Sequence, residues 1–388
     1  MNELPIDIPL RKFHEANGAK MVPFAGFNMP INYKAGIINE HKNVRNHSGI
    51  FDVSHMGQVL IENNDLHINN LEKYIPLKLN SLKKNKSNYT FLLNEKGGVV
   101  DDLIVSLIEI DSKSFLYIVY NASRKNEDEK IFFNCSSKAK IIHNKNCLFA
   151  IQGPESIEVL KNKIEIPSYM NFLDIYELKY KENLVFVSRS GYTGEDGFEI
   201  SITNEQAEIF IKDLLENENT MLCGLGSRDS LRLEAGLSLY GHELNEEITP
   251  IEAGLSWALD KDRLNDTTLN GNKILSDQLY NKPSNKKIGL VSVNRAMLRE
   301  GMILFDDNKN KIGKITSGCF SPNLNKSIAI GYVNSNFDEE NEIFCEIRNK
   351  MELVKKTSLP FVKKNYKKNG SNNEWKKIYK RSWMGFYW

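Results

Sequence analysis

The chain of 388 residues has almost no net charge, with Lys+Arg 51 against Asp+Glu 50 and a balance of +1. Bulk charge therefore lends no support to a nucleic-acid or membrane-surface role, and a charged partner must meet a local patch. Cysteine is sparse as well. Cys135, Cys147, Cys223, Cys319 and Cys345 are scattered, odd in number and form no C-x-x-C pair, which excludes the common zinc and redox motifs and suits a reducing compartment. No stretch approaches 18 uninterrupted apolar residues, so no membrane span is expected. Met1 to Leu10 carries Pro5 and Pro9 and neither a signal-length apolar run nor an Arg-rich transit pattern. The expected location is cytoplasmic, or the mitochondrial matrix only if a leader has been removed. Nucleotide and hydrolase signatures are missing too. Gly224-Leu-Gly226 lacks the third glycine of a dinucleotide loop because Asp229 holds its place, so Ser227 or Asp229 is expected to start a helix there. Without a G-x-S-x-G elbow, Asp52, Ser54 and His55 do not make a hydrolase triad. His41, His47 and His55 have no acidic or thiol ligand at metal spacing, which favours local hydrogen bonding and no metal.

What the chain does have is length enough for two or three domains. One stretch stands out, Gly97-Gly98-Val99-Val100-Asp101-Asp102-Leu103-Ile104-Val105, which sets two adjacent carboxylates inside a β-branched run. Aspartate is depleted in strands, and paired glycines mark a turn or a close backbone approach. Strand side chains alternate, so the two acids point to opposite faces and only one can enter a given cavity. The other is expected to cap or to face water.

Around this stretch the pattern is α+β. Short strands are predicted at Gln58 to Glu62, Tyr89 to Leu93, Leu103 to Ile110 and Phe115 to Asn121, followed by a polar helix near Arg124 to Phe133. Further strands at Phe149 to Gln152, Leu184 to Ser188 and Phe198 to Ile202 precede helices at Glu205 to Asn217 and Arg228 to Gly236. The Gly/Pro/Met-rich passage Met21 to Pro30 cannot be a regular helix. A polar stretch over 263–287 reads as a linker, and short strands beyond it as a small β domain. The tail 371–388 interleaves Trp375, Trp383 and Trp388 with basic residues, a composition that suits RNA, lipid headgroups or a partner as well as a loose appendage.

Seven motifs, read in order, resemble the glycine cleavage T-protein family, the folate-dependent aminomethyltransferases. They are Phe24-Ala-Gly-Phe-Asn-Met-Pro30, Phe51-Asp-Val-Ser-His-Met-Gly57, the 97–105 stretch, Gln152-Gly-Pro154, Gly191-Tyr-Thr-Gly-Glu-Asp-Gly-Phe-Glu199, Gly224-Leu-Gly-Ser-Arg-Asp-Ser-Leu-Arg-Leu-Glu-Ala235 and Ser317-Gly-Cys-Phe-Ser-Pro-Asn-Leu324. The resemblance runs from about residue 10 to 366 and leaves the tail outside. Gly26-Phe27 departs from the family's usual Gly-Trp, and Thr268 to Gly271 blurs its Phe-Ile-Gly. The resemblance implies a three-domain cloverleaf around a folate channel: a first α+β domain over 1–54 and 148–262, a second over 55–147, and a C-terminal β domain over 288–370. It implies tetrahydrofolate as co-substrate, the lipoylated H-protein as partner, and neither nucleic acid nor membrane.

By position the resemblance makes Asp102 the catalytic carboxylate and puts Asp101 on the opposite face. A carboxylate near N5 and N10 of the folate would accept the N10 hydrogen and steady the positive charge that develops as N5 attacks the methylene carbon. Glu199 would read the donor edge of the pterin and Arg228 would contact substrate. Met56, Tyr89, Asn121, Tyr192 and Tyr366 would line or close the pocket. Two alternatives fit the same resemblance. One is another tetrahydrofolate-dependent demethylase; the other is a folate-binding factor in RNA modification or iron–sulfur assembly, whose Lys-Gly-Cys motif is replaced here by Ser317-Gly-Cys319.

Overall fold

A computed structural model describes residues 4–294, 296–337 and 341–368; the aromatic and basic tail lies outside the described residues. A mixed sheet, an antiparallel sheet and a barrel are built on a chain that leaves the first sheet, makes the second, and returns. The first sheet has six strands in the spatial order Ile175–Tyr180, Asn183–Ser188, Gly197–Thr203, Asn146–Gln152, Ser48–Asp52 and Thr220–Leu222. The second has five, in the order Ser87–Leu93, Val99–Ile110, Lys113–Tyr120, Gly57–Glu62 and Lys140–Ile141. Asp52 and Gly57 thus mark the exit from one sheet into the other, and Asn146 the return.

Alternation along the strands decides what each face meets. In Asn146–Gln152, Phe149 and Ile151 pack against Ala207, Phe210, Ile211 and Leu214 of the helix Asn204–Leu214. Leu148 and Ala150 face the other way, onto Phe51, Val53 and Leu231. A strand buried on both sides must be apolar at every position, and this one reads Cys-Leu-Phe-Ala-Ile between its polar ends. In the second sheet Leu103, Val105, Leu116, Ile118 and Tyr120 turn toward Ile68, Leu71 and Phe132 of the covering helices Asp65–Leu71 and Lys125–Cys135. Ile104, Ser106, Tyr117 and Val119, on the opposite face, look toward the six-stranded sheet across a cleft.

The C-terminal strands close into a six-stranded barrel, Asn285–Ser292, Lys326–Asn334, Lys311–Ser321, Ile303–Phe305, Ile343–Ile347 and Lys350–Thr357 in spatial order. It is held to the helix Leu225–Glu234 by buried charge. Arg232 donates to Glu243 at 2.7 Å and to Ser317 at 2.8 Å, and Glu234 accepts from Ser321 at 2.5 Å.

Three expectations need correction. The stretch 263–287 is not a plain linker: it contains the helix Asn272–Tyr280, and Leu264, Leu269 and Leu275 are buried with Phe91 and Leu93. Those leucines are too widely spaced among polar residues to show as a period. The helix expected near Arg228 begins at Leu225 with Gly224 before it, and Ser227 gives its hydroxyl to Glu40 and to the Gly224 carbonyl. Asp101 neither caps a turn nor faces water; it is completely buried. Met21 to Pro30, for which only a helix was excluded, is a hairpin of Lys20–Phe24 with Phe27–Asn32.

Candidate active site

The glycine pair before the aspartates brings backbone against backbone. Gly97 has φ +76°, in the left-handed region that glycine enters freely, and a Cβ on Gly98 would lie 1.9 Å from the Glu246 carbonyl oxygen. Val99 N–H then donates to Asn245 and Ile248 carbonyls, and the register of the strand shifts between Leu92 and Leu93. Asp101 follows Leu103 and Val105 onto the helix-covered face, and Asp102 follows Ile104 and Ser106 onto the cleft face. Pairing with Lys113–Tyr120 stops at Ile104 and Val119, so beyond that point Asn121 is free to turn its side chain back. Its Nδ2 donates to Asp101 Oδ1 at 2.9 Å and to Asp102 Oδ1 at 2.8 Å, while its backbone N–H donates to Asp101 Oδ2 at 2.8 Å. The two carboxylates are on opposite faces and still share one amide.

Asp102 also accepts the Tyr89 hydroxyl at 3.0 Å. Burial, and then the neighbouring charge of Asp101, pushes its carboxyl up to about 7. Tyr89 is held edge-on to Phe91 and stacked on Trp257 at 5.7 Å, and its phenol is raised well above the usual range by burial and by Asp102. Trp257, half exposed beside this ring, is the one tryptophan outside the tail and carries no motif that marks it in the sequence.

Glu199 lies in the middle of Gly197–Thr203, flanked across the ladder by Ala150 and Ser188. It accepts the Ser190 hydroxyl at 2.5 Å on one oxygen, and it is the only acid among the residues lining the cleft, the rest being Ile104, Ser106, Tyr117, Val119, Leu148, Ile175, Phe186 and Ser188. Arg228 stands over the Tyr192 ring, 4.9 Å from its centroid, and its Nη1 is buried without a hydrogen-bond partner. Burial lowers the guanidinium from its ordinary value, against the attraction of Glu199 and Tyr192. A cation placed so awaits an acceptor. Tyr192 donates its hydroxyl to the Ser238 carbonyl. Tyr366 stacks face to face on Phe172 at 3.9 Å, within electrostatic reach of Glu195 and Glu199. Met56 packs with Val119 on the small core of Phe51, Val53 and Leu148, behind the cleft wall.

Of the histidines expected to hydrogen-bond locally, His41 and His47 do, whereas His55 Nδ1 is buried without a hydrogen-bond partner. His14 bridges Asp52 and Tyr33 at 2.8 Å each, and His41 bonds Ser230 and Glu234. His47 meets Glu155 at 3.0 Å. His55, brought down to about 3 by burial and then by Arg228, lies edge-on to Phe24 and Phe27. Asp52 is thus committed to His14 and to the Ser54 N–H, and it makes no triad with Ser54 and His55. Among the described residues no cluster of His, Cys, Asp and Glu has the arrangement of a metal site. The Cys319 thiol, pushed up to about 12 by burial, is not an activated nucleophile.

The fold and the site define a class: a three-part α+β enzyme in which a buried arginine, Arg228, lies over Tyr192 within electrostatic reach of Glu199, and Tyr192 lies within reach of the raised carboxylate Asp102. Its relatives are specific. Residues 10–263 match the family model described as GCVT N-terminal domain, and residues 285–363 match the glycine cleavage T-protein C-terminal barrel domain. The chain is 37% identical over 383 residues to the mitochondrial aminomethyltransferase of Dictyostelium discoideum, covering 92% of this chain and 93% of that protein. It is 39% identical over 371 residues to the pea enzyme of the same name, covering 92% and 90%. The crystal structure of aminomethyltransferase T of the glycine cleavage system from Bartonella henselae superposes with a TM-score of 0.87 at 35% identity, over 94% of this chain and 100% of that one. The chain belongs to the glycine cleavage T-protein family of aminomethyltransferases. No described helix is long and apolar enough to cross a membrane.

Proposed function

We propose that this enzyme takes the aminomethyl group carried on the lipoyl arm of the glycine cleavage H-protein, passes its one-carbon unit to tetrahydrofolate, and releases ammonia and the dihydrolipoyl arm. The observation that carries the proposal is that Arg228 stands over the Tyr192 ring within electrostatic reach of Glu199, and Tyr192 lies within reach of Asp102, while Arg228 Nη1 and one Glu199 oxygen carry no protein hydrogen bond. The donor set suits a folate. Glu199 Oε1 meets no protein donor, so the carboxylate has an acceptor to set against the adjacent ring N–H and amino group of a pterin. Beside Glu199 the side chains of Ile104, Tyr117, Val119, Leu148 and Phe186 line a small apolar cavity of about 20 Å³, which a pterin would have to widen to enter. Tetrahydrofolate, when bound, supplies the nucleophilic nitrogen that accepts the one-carbon unit.

The residues around it hold charge and exclude water. Asp102, ionised, stabilises positive charge developing at the transferred carbon and can take a proton from the neighbouring nitrogen, a role suited to a carboxyl raised to about 7. Tyr89 and Asn121 donate to it from two sides and fix its plane. Arg228 offers Nη1 to an anionic or carbonyl oxygen of substrate. Tyr366, stacked on Phe172, covers the rim.

Purified protein given aminomethylated H-protein should release ammonia and form methylenetetrahydrofolate only when tetrahydrofolate is added. Ammonia release that ignores tetrahydrofolate would defeat the assignment. Glu199→Gln should weaken tetrahydrofolate binding by roughly 10-fold or more while slowing turnover less, since a hydrogen bond to a charged group contributes about 1.5–3 kcal/mol and an amide turns one acceptor into a donor. Calorimetric titration checks this, and an unchanged affinity removes Glu199 from the pterin pocket.

A further inference from the structure

Asp128 lies in the first turn of Lys125–Cys135, fully buried, and neither of its carboxyl oxygens meets an N–H or hydroxyl donor. Its polar neighbour is Asp101: the two carboxyl groups face each other at interaction range, acceptor against acceptor, and a hydrogen bond can join them only if one is protonated. Such a bond needs one proton between the two groups, because two buried carboxylates in contact do not both ionise. Donors decide where that proton sits. Asp101 accepts two hydrogen bonds from Asn121, one on each oxygen, which favours its charged form; Asp128 accepts none. Burial, and then Asp101, accordingly drives the Asp128 carboxyl up to about 11.

Asn121 carries the effect to the cleft. Its Nδ2 faces Asp101 Oδ1, Asp102 Oδ1 and the Asp102 carbonyl, so only the nitrogen of the amide can occupy that position. An ionised Asp101 pins the amide, and the amide's second hydrogen is left for Asp102. Rotation of Asn121 would remove a donor from the cavity carboxylate.

We propose that Asp128 is a protonated carboxylic acid whose hydrogen bond keeps Asp101 ionised, and that through Asn121 it positions the cavity carboxylate Asp102. Asp128 is a positioning residue and touches no substrate. Its assignment to turnover rests on the aminomethyl-transfer reading, whereas its protonation does not.

The test compares Asp128→Asn with Asp128→Ala. The carboxamide of Asp128→Asn can give an N–H to Asp101 and needs no proton, so this variant should keep most of the activity. Asp128→Ala leaves Asp101 buried without that donor, and Asp101 then retains the proton itself. The negative charge that raises Asp102 disappears, and the acid limb of kcat/KM for tetrahydrofolate moves to lower pH. Loss of the pinned amide should also lower kcat/KM by roughly 10-fold or more, the scale on which outer partners of functional groups act. The other titratable groups facing this cluster, Arg124, Glu127 and Glu129 with Tyr120 and Tyr240, are the same in both variants.

A purely structural role would lower both variants and leave the limb in place. Equal loss in Asp128→Asn and Asp128→Ala, or an unmoved limb in Asp128→Ala, overturns the proposal. Infrared difference spectra of wild type against Asp128→Asn at mildly alkaline pH should show the carbonyl stretch of a protonated carboxyl in the wild type. Absence of that band overturns it as well, even where Asp128→Ala fails to fold. Should the wild type show no aminomethyl transfer at all, the band still decides the protonation of Asp128, and the fault lies with the assigned reaction.

Discussion

Asp102→Asn lowers kcat by at least about 100-fold with little change in unfolding temperature, the scale seen when one preorganised electrostatic group is removed from an active site. The reasoning starts from hydrogen bonds. Tyr89 and Asn121 both donate to Asp102, on different oxygens, and an asparagine can accept on only one of the two. The side chain keeps its size, so the walls stay packed while the charge is lost. In the wild type the rate follows ionisation: protonation switches the carboxylate off, so kcat/KM falls as pH drops through about 7. The asparagine variant should lose that limb along with its rate. Asp101→Asn is not a mild control, because Asp101 is buried and accepts two bonds from Asn121. It should cost about 1–3 kcal/mol of stability by leaving donors unpaired. Stopped-flow turnover and thermal melts on both variants check these outcomes; a stable, fully active Asp102→Asn would remove the carboxylate from the chemistry.

The second large effect is on stability. Glu234 accepts from His41 Nε2 at 3.1 Å, Arg45 Nη2 at 2.8 Å, Ser321 Oγ at 2.5 Å and the Asn323 N–H at 3.2 Å, and it is fully buried. Burial alone would raise this carboxyl; His41, Ser321 and Arg45 together hold it down at about 2. Glu234→Ala leaves a buried guanidinium and imidazole short of an acceptor and removes one of the helix's ties to the barrel, leaving Arg232–Ser317, at a cost of roughly 3–5 kcal/mol. The sign with pH follows from a depressed folded value. The stabilisation is complete above the unfolded value near ~4.3 and disappears as pH falls through about 2. Denaturant titrations at pH 7, 4 and 3 should therefore show the deficit of Glu234→Ala shrinking toward acid. A deficit that stays constant over that range would show that packing, not charge, is what the residue provides.

What the sequence made readable about the aspartate pair is local: the two acids take opposite faces of one strand. Alternation in Val99–Ile110 separates Asp101 from Asp102, and seven ordered motifs name the family. What stayed hidden lies in pairs remote along the chain. Asp128 meets Asp101 across 27 positions, His14 meets Asp52 across 38, and His41 meets Glu234 across 193. A buried acid on a polar helix looks the same as a solvated one until the sheet beneath it is known. For that reason the sequence alone lets Asp101 read as a cap or a solvated acid, whereas the structure buries it. The helix Asn272–Tyr280 was missed on similar grounds, since one fully buried leucine, Leu275, anchors nine mostly polar residues.

The cleft also ties two folding units into one equilibrium. Its walls are contributed by strands of the nested insert, such as Ile104 and Tyr117, and by strands of the host sheet, such as Leu148 and Glu199. Gln58 already rivets the two sheets, its Oε1 accepting from Tyr117 at 2.8 Å and from Ser201 at 2.6 Å. A molecule seated between them adds its binding free energy to the cohesion of the halves, about 2.7 kcal/mol at a hundredfold excess over Kd, so the occupied enzyme resists proteolysis at the Asp52 to Gly57 crossing better than the empty one.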